Sequence, residues 1–283
     1  MKRRITPILT PLILWTTILL APAAGAGQEP PTVTMAEPKL EVVFLANEGF
    51  LLRSGGRTVL IDAFVTEPYA GYGALPSEVY QRMLAGEPPF EQVQLALASH
   101  VHRDHFQPEA AGAFLEKHPE TLFASSPQVI EALRDGYEGS AEIEDRLRVV
   151  WPDSEQTETL ERDGIRVDFF RLSHGTGRHA EIQNLGHVIE LGGKKTLHLG
   201  DAEIKIANFE PFGLRSRELD VAIIPYWYYP QDHGRYLASE YFHAEHEIAA
   251  HVQPAEVENI FKGFRMEVTW VVVPQEAMES WSF

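Results

Sequence analysis

The chain of 283 residues carries 41 Asp and Glu against 24 Lys and Arg, a formal charge of −17, with 12 histidines and no cysteine. So acidic a surface repels phosphate backbones, which argues against nucleic acid as a partner. Without cysteine there are no disulfides and no thiolate ligands, so any metal has to be held by histidine and carboxylate.

Residues 1–26 read as a signal peptide. Lys2-Arg3-Arg4 precede the apolar run "ILTPLILWTTILL", and Ala24-Gly25-Ala26 forms an A-x-A cleavage site. This predicts export to a periplasm or to the medium; a retained anchor is the alternative reading. The apolar run is shorter than the ~20 residues a spanning helix needs, so no stable membrane span is expected in the mature form. Residues 27–39 are Pro-rich and polar, a flexible lead-in. Residues 40–283 are expected to form a single domain.

That domain opens with short apolar runs, "LEVVFLA", "GFLLRS" and "TVLIDA", the last two joined by Gly55-Gly56, which is hairpin chemistry. A long connection over 64–92 carries Tyr69, Tyr72 and a short helix near Ser77–Leu84, and connections of this length often act as lids. "VQLALAS" then reads as a buried strand. A helix starts at Pro108, and after "TLFA" a second starts at Ser126-Pro127. Strands are predicted at "RLRVVW", "IRVDFFRL", "HVIEL", "KTLHLGD", "DVAIIPY" and "VTWVVV". Two halves that each begin with hairpin strands suit a pseudo-duplicated sandwich.

The strand "VQLALAS" delivers "HVHRDH", residues 100–105. On an extended backbone His100 and His102 project to one side, and Asp104 follows if the extension continues. His105 joins them only if the chain turns before the helix at Pro108. The four side chains can thus feed two adjacent metals, His100 and His102 one, Asp104 and His105 the other. Imidazole and carboxylate suit Zn²⁺, with Mn²⁺ or Fe as alternatives. A polar, histidine-rich loop is the competing reading, but the pattern directly follows a buried strand. "HAEHEIAAH" is not a zincin helix: His246 and His251 are five apart, about 140° round a helix, too far to share a metal.

"HVHRDH" resembles the H-x-H-x-D-H signature of the metallo-β-lactamase-fold hydrolases, with "VLIDA" before it and "LHLGDA" after it in that superfamily's order. The resemblance spans Leu40 to Phe283. It implies an α/β (α+β) fold, a four-layer αβ/βα sandwich of mostly antiparallel or mixed sheets, with two divalent metals, usually zinc, at one edge. By the same resemblance Asp201 bridges the metals, and a strand-end histidine completes the first. The family's order selects His174 for that position, with His179 next and His187 third. His251, at a strand end before Pro254, looks like the late histidine on the second metal, and His243 and His246 are then exposed neighbours.

Asp62, closing "TVLIDA", either orients a ligand histidine or starts the next loop. His198 either packs beneath the site or hydrogen-bonds a ligand. Tyr226 and Trp227, in the run "YWYY", are candidates to line a substrate pocket, while half of that run can equally be core.

The expected activity is metal-dependent hydrolysis of an ester, lactone or phosphodiester by a hydroxide shared between two metals, with Asp104 orienting it and passing a proton. The substrate is then a small or lipid-like molecule. The sequence looks most like the lineage of lactone hydrolases and phospholipase D-type enzymes. The alternatives are a β-lactamase-type amide hydrolase and a non-catalytic metal-binding scaffold.

Overall fold

The computed structural model describes residues 39–267 and 270–283, so the expected signal peptide and nearly all of the lead-in lie outside the described residues. Strands β1 (Glu41–Ala46), β2 (Gly49–Ser54) and β3 (Arg57–Ile61) form an antiparallel meander. Gly55 and Gly56 join β2 to β3 with φ of 57° and 79°, the all-positive two-residue turn that glycine adopts without strain and that matches the twist of the strands. From β3 the pairing becomes parallel, through β4 (Leu95–Leu97), β5 (Leu122–Ser125) and β6 (Leu147–Val149). The crossovers carry helices α1 (Ser77–Ala85), α2 (Pro108–Lys117), α3 (Pro127–Gly136) and the single turn α4 (Ser140–Ile143). Pro opens both α2 and α3, and the Ser126 hydroxyl accepts a bond from the Val129 N–H to cap α3.

The second sheet repeats this plan. Strands β7 (Glu158–Arg162), β8 (Ile165–Ser173), β9 (Gln183–Leu191) and β10 (Lys194–His198) are antiparallel; β11 (Val221–Pro225), β12 (His246–Ala250) and β13 (Val271–Val272) then add in parallel. The last strand, β14 (Ser280–Ser282), returns to the first sheet beside β1. The strand orders are β14-β1-β2-β3-β4-β5-β6 and β13-β12-β11-β10-β9-β8-β7.

Alternation along the strands builds three apolar layers. Val42, Phe50, Val59 and Ile61 face Val167, Phe169, Ile189 and Ile223 between the sheets. On the outer face of the first sheet, Leu51, Leu60 and Ala96 pack on Val79, Phe114 and Leu133 of α1, α2 and α3. On that of the second, Leu197, Ala222 and Ile224 pack on Phe209, Tyr228 and Phe242. This is the four-layer αβ/βα sandwich, with mixed sheets.

Two expectations change. "VTWVVV" pairs only at Val271–Val272, and its first two residues lie outside the described ones. The strands β7 and β14 are not singled out by sequence, because edge strands such as "ETLER" bury too little apolar surface to show a periodic signal. Among the described residues no helix is long and apolar enough to cross a membrane.

Candidate metal centre

The predicted ligands come from separate stretches of chain that all follow a strand's C-terminal end: residues 100–105 follow β4, His174 follows β8, Asp201 follows β10 and His251 follows β12. The turn predicted before α2 is present, with the N–H groups of His105 and Phe106 both bonding to the His102 carbonyl, and it swings His105 inward.

The predicted ligands form two sets of donor atoms, and a third group, Glu48 and Asp62 with His105, shares His105 with the second. In the first, His102 Nδ1 lies 3.0 Å from His100 Nε2 and 3.1 Å from His174 Nε2. Asp201 Oδ2 is 3.8 Å and 3.5 Å from those two Nε2 atoms. In the second, His251 Nε2 lies 3.1 Å from His105 Nε2 and 3.2 Å from Asp104 Oδ2. The other oxygen of Asp201, Oδ1, is 3.3 Å from His105 Nε2 and 3.4 Å from His251 Nε2. Asp201 therefore offers one oxygen to each set. Its backbone is placed by Gly200, whose φ of 53° and close approach to Asn184 and Ser99 leave no room for a Cβ.

These donors fit divalent metals. Bonds of ~2.1 Å in a tetrahedron put ligand atoms about 3.4 Å apart, close to the spacings found. Asp201 Oδ1 is buried without a hydrogen-bond partner, as a metal-directed oxygen would be. Burial, then the nearby histidines, hold the His102 pKa down to about 4, and His100 and His174 are also lowered, burial being the main cause. All three imidazoles are thus neutral at pH 7, the form that binds metal.

The tautomers are set from behind. Asp62 lies 2.8 Å from His105 Nδ1, and it accepts bonds from the Ser99 N–H at 2.6 Å and the Ser99 hydroxyl at 2.5 Å. Burial pushes the Asp62 carboxyl up, but the bond and charge of His105, with His198 and Ser99, outweigh it and keep its pKa below the usual carboxylate range. As a carboxylate it takes the Nδ1 proton of His105 as a hydrogen bond. Ser99, having spent its own proton on Asp62, accepts from His100 Nδ1 at 3.0 Å. Both rings therefore turn Nε2 inward. Burial lowers the His105 pKa, but Asp201 and Asp62 outweigh it and raise it well above the usual value, so a cation bound there would displace the Nε2 proton. Of the two readings open for Asp62, the histidine-orienting one matches this geometry.

His198 takes its first reading. It is buried beneath the site, and its ring meets the Glu48 carbonyl at 3.1 Å and the Gly200 N–H at 3.2 Å, with no bond to a predicted ligand. His179 stacks on His174, ring centres 4.8 Å apart, but is outside both donor sets. His187 is buried on β9 against Phe169, and His243 and His246 are exposed.

The aromatic run corrects one expectation. Over the donors lies a cleft of about 520 Å³ lined by Tyr69, Tyr72, Arg178 and His179 with the ligands, and neither Tyr226 nor Trp227 lines it. Trp227 packs edge-on against His251 at 4.9 Å and Tyr226 packs on Trp227, while Tyr228 and Tyr229 are core. The short helical turn after β11 brings Trp227 of the run against His251. Tyr72, from the long 64–92 connection, also packs edge-on against His251, at 4.8 Å.

The β1–β2 turn is a contributor that sequence reasoning missed. Asn47 Nδ2 donates to the Asp104 carbonyl at 2.8 Å, and the Asn47 carbonyl accepts from the His251 N–H at 3.0 Å. Asn47, Asp62 and His251 all have positive φ, 52°, 46° and 63°, a strain of order 1–3 kcal/mol each that tends to collect at functional sites. Glu48 beside them is buried with neither carboxylate oxygen hydrogen-bonded, Oε2 lying 3.8 Å from His198 Nε2 and 4.0 Å from His105 Nδ1, and burial followed by Asp201 raises its pKa well above the usual value. In sequence, "NEG" between two strands reads only as an exposed turn.

The fold and the paired donor sets define a metallo-β-lactamase-type sandwich. The chain belongs to the β-lactamase superfamily: residues 57–272 match the family described as the beta-lactamase superfamily domain. Among solved structures it is similar to a possible metal-dependent hydrolase from Veillonella parvula (18% identity, 87% of this chain and 100% of that one, TM-score 0.59). It is also similar to the metallo-beta-lactamase fold protein YhfI from Bacillus subtilis (17%, 87% and 100%, 0.58). A third is the isothiocyanate hydrolase from Delia radicum gut bacteria (16%, 86% and 99%, 0.57). At these identities the likeness establishes the fold alone. No curated protein matches the sequence significantly.

Proposed function

We propose that the chain is an exported, metal-dependent hydrolase of a small or lipid-like ester, lactone or phosphodiester. The observation that carries this reading is Asp201, whose two oxygens face two separate donor sets. His100, His102, His174 and Asp201 would hold one cation; Asp104, His105, His251 and Asp201 the other. Two bound divalent cations, Zn²⁺ first and Mn²⁺ or Fe as alternatives, supply the Lewis acidity that acidifies water and polarises the substrate oxygen.

In the hydrolysis, the oxygen of water joins the acyl carbon or phosphorus, and the bond to the leaving oxygen breaks. One proton travels to that oxygen. Asp104 is placed to carry it, being a ligand-set carboxylate that also lines the cleft. Burial raises its pKa, but the His251 bond and the His105 charge outweigh this and hold it below the usual range. It is thus ionised at neutral pH and gives up a captured proton readily. Tyr72 and Trp227 both pack edge-on against the His251 ring.

The test is parallel turnover of 4-nitrophenyl phosphodiesters, lactones and a chromogenic β-lactam by the metal-loaded chain. Hydrolysis of at least one of the first two is expected, and Asp104→Asn with its metal content verified should lose 10²-fold or more of it. Inertness towards all three with two metals bound would instead favour a scaffold. Export rests on residues 1–26 and is tested by the N-terminal mass of protein recovered outside the cytoplasm.

A further inference from the structure

Arg178 stands at the cleft over the donor sets, in the loop between β8 and β9. Its Nε donates to His179 Nε2 at 3.0 Å, and the His179 ring stacks on His174 and lies 5.6 Å from the ring of His102. The guanidinium is thus anchored one hydrogen bond away from a ring that packs on the first donor set. Among the described residues no carboxylate pairs with it, and its two terminal NH₂ groups have no protein partner. Arg53, Arg103, Arg134, Arg166 and Arg217, by contrast, each meet a carboxylate.

Arg57, Arg146 and Arg171 also form no ion pair with a carboxylate, but they bond to backbone carbonyls; Arg178 is the arginine that lines the cleft over the donor sets. The other lining residues outside the ligand sets, Tyr69, Tyr72 and His179, carry no fixed charge. A strongly negative molecule repels an anionic substrate at long range, so a local cation at the cleft matters most for such a substrate. The free edge of a guanidinium offers paired N–H groups to two oxygens of one anion, a geometry that a carboxylate or phosphate matches.

We propose that Arg178 is a specificity-determining residue that binds an oxyanion group, carboxylate or phosphate, carried by the substrate beside the bond that is cut. This deepens the hydrolase reading and rests on it. The anion sits against the guanidinium edge while the scissile group reaches the donor sets, and His179 fixes the guanidinium's place. Lysine, a point charge without the fork, fills this role only in part.

The test uses the metal-loaded full chain with 4-nitrophenyl butyrate and mono-4-nitrophenyl glutarate, two esters that differ chiefly in a terminal carboxylate. In Arg178→Ala the glutarate-to-butyrate ratio of kcat/KM should fall roughly tenfold to hundredfold, mainly through KM, as expected for losing a charge-assisted hydrogen-bond pair. Arg178→Lys should recover part of the ratio. Arg148→Ala, which removes an exposed charge on β6 away from the cleft, should leave it unaltered. An unchanged ratio in Arg178→Ala overturns the proposal. Calorimetric binding of glutarate and of inorganic phosphate to the same proteins separates the two anions and needs no turnover. If neither ester were hydrolysed the hydrolase reading would suffer, and weaker binding of either anion by Arg178→Ala would still support the anion site. Equal binding of both would sink it.

Discussion

Replacing Asp62 by Asn keeps the volume and removes the charge that holds His105. The buried carboxylate serves three groups: His105 Nδ1, the Ser99 N–H and the Ser99 hydroxyl. An asparagine oxygen can still accept from Ser99, but its NH₂ then faces His105 Nδ1. That favours the tautomer with the proton on Nε2, the atom that points at Asp201 and His251. The charge-assisted bond lost is worth about 1.5–3 kcal/mol. Breaking such a partner of a metal-binding histidine typically weakens the metal about 10–100-fold, which is ~1.4–2.7 kcal/mol, so the two magnitudes agree. In a competition titration against a chelator, Asp62→Asn should bind its second equivalent of metal about 10–100-fold more weakly. The first equivalent should change much less, because Asp62 reaches His100 only through Ser99. A thermal melt of the metal-free variant checks that it folds. Two equivalents bound as tightly as in the parent chain, or both weakened alike, would refute the orienting role.

Asn47→Ala should lower the second metal's affinity while leaving the first nearly intact, since the lost side-chain bond supports the Asp104 carbonyl and is worth ~1 kcal/mol; equal loss at both sites in the same titration would count against this. His187 is buried with neither ring nitrogen partnered, and burial, then His198, holds its pKa down to about 3. The unfolded chain takes up a proton near pH 6.5 that the folded chain refuses. The contribution is fully present above about 6.5 and is lost progressively as pH falls towards 3, by up to ~1.4 kcal/mol per unit. His187→Phe should flatten that acid slope by close to one proton in urea titrations of the metal-free chain between pH 4.5 and 7.5, and unaltered slopes would contradict it.

What could be read without coordinates was local. Gly55-Gly56 required a hairpin because both turn residues need positive φ, and Pro108 and Pro127 marked helix starts because their missing N–H groups are not needed there. Strict alternation assigned His100 and His102 to one side of a strand extension, and the failure of His246 and His251 to share a helix face sent His251 to a strand end. The edge strands β7 and β14 left no such trace.

The sequence by itself therefore determined the donor types, with no thiolate available, the place where coordination would begin, and the order in which the remaining candidates arrive. Only the tertiary structure decided which of them meet. Long-range pairing brought β4, β8, β10 and β12 to end at one edge, placed His174 rather than His179 or His187 among the donors, and set one Asp201 oxygen towards each group. It also decided what lies around them. Asn47 and Glu48 look like turn residues in sequence, because contacts made across 57 positions of chain by Asn47 leave no periodic signal. Arg178 is likewise an ordinary loop arginine until the fold sets it, with no ion pair to a carboxylate among the described residues, at the cleft over the donor sets.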